Sequence, residues 1–223
     1  MPAPIIQPDT VLDLKSEPQG RIEIYGERNV VRVGRNVTLT STIWLIGSGI
    51  TVEIADDCTL NGMIRAPRGD GGLIRIGRGT TFNAVGLSLH EPGEIIIGED
   101  CMFSTDIHAD VSDMHPIYDR KTGQRINPAK SIYVEDHVWV GAGVRLLKGA
   151  TIRSGAIIGA GSMVAGEIPS NVLAVGSPAK VVREDVEWLR EFEELEPAPA
   201  AETAPAATRQ GFLANAAARL RGR

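Results

Sequence analysis

Cysteine, aromatic rings and long apolar runs are all scarce in this sequence, and each scarcity closes off a class of protein. Two Cys in 223 residues cannot make a disulfide framework or a thiolate-rich metal site. Three Trp, three Tyr and four Phe are few rings to anchor a conventional core of this size. No stretch approaches the ~18 consecutive apolar residues of a membrane-spanning helix. Met1–Asp13 shows no basic start followed by a long apolar core, so no secretory leader is expected and a cytoplasmic location is. Basic charge in excess is missing too. The 23 Lys and Arg face 28 Asp and Glu, a formal net charge of −5, which argues against a broad basic surface for nucleic acid. What is present is glycine, 25 residues in a chain still 43% hydrophobic. Small aliphatic side chains packed without rings point to a regular repeat.

From Val134 onward an aliphatic residue returns every six positions: Val134, Val140, Leu146, Ile152, Ile158 and Val164. A helix of 3.6 residues per turn cannot keep that stripe on one face. A short flat strand followed by a tight turn can. The same signature recurs earlier with wider gaps, at Val33, Ile54, Ile76 and Ile97. Six residues after the unit starts come Leu39, Leu60, Phe82, Phe103, Val140 and Ile158, and the corner between holds Val37, Cys58, Thr80, Cys101, Val138 and Ala156. Unit spacings of 21, 22, 21, 37 and 18 read as three-sided coils, one of them interrupted by an excursion of about 19 residues near Ser112–Lys130. The fold expected is all-β: a parallel β-helix of about six triangular coils with one long extruded loop and a C-terminal helix. Cys58 and Cys101 share a corner two coils apart, ~9–10 Å at the spacing of stacked strands, too far for a disulfide.

The expected organisation is a lead-in over 1–29, the β-helix over 30–182 with its loop at 112–130, a helix over 183–196 and a linker and basic tail over 197–223. Val186, Leu189 and Phe192 recur at helical spacing, and such a helix would cap the open end of the coils. Residues 209–223 place Phe212, Leu213, Ala216 and Leu220 on one face beside several Arg, a candidate for peripheral membrane contact.

A regular coil offers little room for chemistry, so the excursion is where a site is expected. It carries His115 before Pro116, which holds the His115 backbone extended, and Asp113, two residues away, could orient or charge-stabilise the imidazole. A histidine titrates near neutrality and can serve as a general base.

The hexads, together with Ser112-Asp-Met-His-Pro116 and Asp136-His-Val-Trp-Val-Gly141, resemble the left-handed β-helix, hexapeptide-repeat acyltransferases. The sugar and polysaccharide O-acetyltransferases of galactoside and polysialic-acid type are the most similar among them. Left-handedness comes from the resemblance, since the usual crossover rule points the other way. The resemblance implies an acetyl-CoA-dependent O-acetyltransferase acting on a sugar hydroxyl, with His115 as general base. Trp139 would share the catalytic groove and pack on the coenzyme. Ala142 and Ala160 would let the coenzyme lie flat, Lys180 and Arg183 would meet its phosphates, and backbone N–H groups of the Trp139–Gly143 turns would hold the oxyanion. Asn83, Asp113 and Tyr118 are candidates for the acceptor, with Asp119 and Arg125 beside them. The family also implies a homotrimer with sites shared between chains, a sugar or polysaccharide acceptor, no nucleic acid and no metal. Other readings stay open: transfer to an amino sugar, a γ-type carbonic anhydrase drawing on His90, His108, His115 and His137, or a trimeric scaffold without catalysis.

Overall fold

Residues one repeat apart stack in register. Val33, Ile54, Ile76, Ile97, Val134 and Ile152 are successive partners in parallel strand pairs along one face. Leu39, Leu60, Phe82, Phe103, Val140 and Ile158 are partners along the next. The computed structural model, which describes residues 6–7 and 9–191, is thus a parallel β-solenoid with three faces. The chain divides into two units, Met1–Trp188 and Leu189–Arg223, and the solenoid occupies the first.

The first face is a sheet of eight strands from Val11–Leu14 to Glu167–Ile168. The second carries Met102–Phe103, Trp139–Val140 and Ile157–Ile158. The third carries Ile107–Asp110, Arg145–Leu146 and Met163–Val164. Thr59–Ala66 and Thr81–Ser88 bend around the corner between the second and third faces and join them into one sheet. Strand interiors alternate buried and outward side chains as a half-buried strand should. The core is aliphatic, with Phe82 and Phe103 as its large rings, centroids 4.9 Å apart.

The first corner, between the first and second faces, shows how so small a core keeps its register. Every coil after the first sets the residue before the corner filler at positive φ: Asn36, Asp57, Gly79, Asp100, His137, Gly155 and Asn171. Asn, Asp and Gly accept that conformation most readily. Fillers also bond to the adjoining coil. The Thr80 hydroxyl donates to the Gly98 carbonyl at 2.9 Å and accepts the Cys101 N–H at 3.1 Å. Cys58 and Cys101 point Sγ at the Gly77 and Glu135 carbonyls, 3.2 and 3.1 Å away. Both thiols are buried and not joined to each other, and burial pushes them up to about 11 and about 12. They are fillers, as their shared corner predicts.

Three expectations need correction. The solenoid starts at Val11, inside the stretch expected as a lead-in, because Val11–Leu14 pairs with Val30–Val33 and Ile22–Ile24 with Ile43–Leu45. The first face therefore has eight strands where about six coils were expected. The last coil carries Ala174 where the inner coils have a bulky residue, and the first is two residues shorter between Leu14 and Ile22 than the next between Val33 and Ile43, so the six-residue signal fades at both ends. The expected helix from Arg183 is absent among the described residues. Lys180–Arg183 folds back as an antiparallel strand on Leu173–Val175, covering that sheet edge. Beyond it Val186 N–H bonds to the Asn171 carbonyl at 3.0 Å. Trp188, not the anticipated stripe, is the buried anchor, 5% exposed. Residues 192–196 of that helix, the linker and the basic tail lie outside the described residues.

Candidate functional site

The excursion leaves the third corner after Asp110 and returns at Ile132. It folds as a hairpin-like arm. Tyr118 and Arg125 bridge antiparallel, and the Asp119 carboxylate closes the tip by accepting the N–H groups of Lys121 and Thr122, both at 2.8 Å. Coils on either side anchor the arm. Arg125 forks onto Glu91 at 2.6 and 2.7 Å, and the Ser112 hydroxyl donates to the same carboxylate. Those two partners, Arg125 first, hold the Glu91 carboxyl at about 2. On the other side Lys148 Nζ reaches the Asp113 carboxylate at 2.5 Å and the Asn127 carbonyl at 3.0 Å. Lys148 and then Asn127 keep Asp113 below the usual carboxylate range. Beneath the arm His90 and Asp110 form a largely buried pair.

His115 is exposed on this arm. Asp113 does not orient its ring: that carboxylate is taken by Lys148 and by the Asn127 side chain at 2.9 Å. Arg125, expected beside the acceptor, is engaged with Glu91 instead. Tyr118 stands exposed near the arm's tip, as do Met114, Ile117 and Ile126.

The second face and the corner after it gather the residues expected to hold the coenzyme. Trp139, 37% exposed, lies in register with Ile157, Leu173 and then Arg183. Its ring tilts against Trp188 with centroids 6.2 Å apart. Trp188 in turn stacks on His137 at 4.2 Å and donates its indole N–H to the His137 carbonyl at 2.9 Å. His137 Nδ1 meets Asp100 at 2.7 Å, so this histidine is structural. Ala142 and Ala160 are exposed and stacked, with Gly161 N–H on the Ala142 carbonyl at 2.7 Å. Asn83 is exposed at the same corner, two coils toward the N-terminus. Lys180 pairs with Val175 at the rim of the second face, and both Lys180 and Arg183 are exposed.

The oxyanion expectation narrows. The N–H groups of Trp139, Gly141 and Gly143 are already bonded to the carbonyls of Ala156, Ile158 and Thr105. Ala142 N–H has no protein acceptor among the described residues, so it is the donor left.

The arm and the second face belong to different sides of the solenoid. The arm stands on the third corner, and every anchor it has, Glu91 on one side and Lys148 on the other, belongs to that corner. A triangular prism sets this corner opposite the second face. The arm that carries His115 and the strand that carries Trp139 therefore rise from different sides of the same chain. His108 on the third face and His137 at the first corner lie away from His90 and His115, and no group of three metal-ligating side chains gathers among the described residues.

The sequence reading passed over Glu91, Lys148, Asn127 and Trp188. Glu91 and Lys148 sit at equivalent corners of the coils flanking the excursion, which is the one sequence signal for them. Trp188 broke the helical stripe assigned around it.

Comparison with known proteins follows the same lines. The family model described as bacterial transferase hexapeptide (six repeats) matches residues 131–166. A polysialic acid O-acetyltransferase of Neisseria meningitidis is 37% identical over 58% of this chain and 60% of its own length. A galactoside O-acetyltransferase of Lactococcus lactis is 37% identical over 59% and 62%. The chain thus spans about three-fifths of these curated relatives. A solved polysialic acid O-acetyltransferase superposes with a TM-score of 0.72 at 30% identity, covering 85% of this chain and 88% of that one. With fold and sequence in agreement across so much of both chains, this chain belongs to the left-handed β-helix, hexapeptide-repeat acyltransferases.

Proposed function

We propose that the protein transfers acetyl from acetyl-CoA to a hydroxyl of a sugar, within a polysaccharide or glycan precursor. We place the reaction in a cleft between two copies of the chain in a homotrimer. The observation that carries this reading is the opposition of arm and second face: His115 and Trp139 can share a cleft only if one copy's arm meets another copy's second face. Apolar side chains on the arm, Met114, Ile117 and Ile126, are exposed in the single chain and suit contact with a neighbouring copy. A closed ring of such head-to-tail contacts gives three equal sites.

In that cleft His115 accepts the proton of the acceptor hydroxyl as its oxygen attacks the thioester carbonyl. Ala142 N–H donates to the oxyanion that develops. When the carbon–sulfur bond breaks, the imidazolium returns its proton to the departing thiolate, so the ring ends as it began. Trp139 packs against the pantetheine arm over the flat floor of Ala142 and Ala160. Lys180 and Arg183, exposed and without an ion pair among the described residues, offer their charges to the coenzyme phosphates. Asn83 and Tyr118 are left to contact the acceptor. Similarity to polysialic acid and galactoside O-acetyltransferases supports a sugar hydroxyl as the acceptor.

The test is release of the coenzyme thiol from acetyl-CoA with polysialic acid and with a galactoside as acceptors, for wild type and His115→Ala. A general base is worth ~10²–10⁴-fold, and kcat of His115→Ala should fall by that much. Turnover that survives His115→Ala undiminished would remove the mechanism.

A further inference from the structure

The backbone entering His115 is strained. Met114, just before it, has φ +63°, a region that side chains bearing Cβ seldom enter. The His115 N–H turns back to the Asp113 carbonyl at 2.7 Å, closing a three-residue γ-turn around Met114. The positive-φ form of that turn is rare and strained. Such a conformation persists only where its surroundings over-determine it, and here they do. Ser112 Oγ accepts the Met114 N–H at 2.9 Å. Buried Asn127 donates its two amide protons to the Asp113 carboxylate and the His115 carbonyl, each at 2.9 Å. Its Oδ1 accepts the Ile117 N–H at 2.6 Å and, at a longer 3.4 Å, the Arg125 Nε–H. The three shortest bonds of the carboxamide thus go to the backbone and side chains that bracket Met114 and His115. Pro116 removes further freedom on the far side.

We infer that Asn127 is a positioning residue for His115, clamping the γ-turn at Met114 and so fixing the direction in which the imidazole leaves the arm. This rests on His115 being the base proposed above. The Asn127 side chain is not what attaches the arm to the solenoid, since Arg125–Glu91, Ser112–Glu91 and Lys148–Asp113 do that. It is not what closes the tip either, which Asp119 does. What it holds is the high-energy turn, and the residue that turn presents is the histidine.

Crystal structures, thermal melts and kinetics of Asn127→Ala, His115→Ala and the double variant test this, with acetyl-CoA and the two acceptors named above. Asn127→Ala should melt within a few degrees of wild type, and Met114 should relax to negative φ. Its kcat should fall about 10–100-fold, as small misplacements of a catalytic group do, with KM for acetyl-CoA unchanged. Because the effect runs through the imidazole, adding Asn127→Ala to His115→Ala should cost nothing further. Met114→Gly in the Asn127→Ala background should recover part of the loss, since glycine enters positive φ without strain. If Asn127→Ala does not fold, Asn127→Asp, which keeps the Ile117 acceptor and loses both donors, carries the same expectations. Met114 holding positive φ without the clamp, or losses that multiply in the double variant, would overturn the inference while leaving His115 as the base. Full turnover by His115→Ala would remove base and clamp together.

Discussion

Mixing two crippled variants should restore activity, because the two halves of the site belong to different chains. His115→Ala keeps a sound second face and loses the arm's base. Trp139→Ala keeps a sound arm and loses the coenzyme platform. In a closed ring each site takes its arm from one chain and its face from the next. Random assembly of the two variants in equal amounts makes a given arm sound about half the time, and a given face sound about half the time. About one quarter of sites are then fully wild type. Parents impaired ~100-fold or more should give a mixture at about a quarter of wild-type turnover. The assay is coenzyme thiol release after the variants are unfolded together and refolded, at acetyl-CoA well below its KM so that the Trp139 defect is expressed. A mixture whose rate stays at the average of its parents would refute the reasoning, since it would mean that His115 and Trp139 serve within one chain.

Trp139→Ala by itself should raise KM for acetyl-CoA more than it lowers kcat, which initial-rate kinetics would read, because the ring is half-exposed on the second face and touches no acid–base group. Phe103→Ala should destabilise by ~3–5 kcal/mol in a denaturant melt, as that ring is 1% exposed and packs on Phe82. Glu91→Gln should lower stability by about 1 kcal/mol at neutral pH, the value being modest for a partly exposed pair. The sign of its pH dependence follows from a carboxyl held, when folded, at about 2 against an ordinary value of 4.5. The benefit is complete above ~pH 5 and is lost as pH falls through the folded value, so wild-type and Glu91→Gln melting curves should converge between about pH 4 and pH 2.

The inner coils were legible because each repeats the same demand. A bulky inward residue at Phe82, Phe103 or Val140 and a small corner filler at Cys58, Thr80 or Cys101 recur whatever the loop lengths. The end coils were not, since Ala174 replaces the bulky residue in the last and the first is two residues shorter between Leu14 and Ile22. The arm announced itself as excess length, and His115 as its one imidazole. Its internal clamp stayed hidden because Asn127 lies twelve residues from His115 and meets it only when the hairpin closes. The opposition of His115 and Trp139 was equally invisible: 24 residues apart in sequence, they look like neighbours on adjoining coils. Only the triangular section of the solenoid sends the arm to one corner and the indole to the facing side. Among the described residues the expected C-terminal helix gives way to the strand Lys180–Arg183 and to Trp188 stacked on His137.

The most direct test is a crystal structure of the full chain with coenzyme A bound. The thiol should lie between two copies, within reach of His115 from one and over the Trp139 ring of the other, with the diphosphate near Lys180 and Arg183. A coenzyme held wholly against one chain, or a thiol remote from every His115, would contradict it.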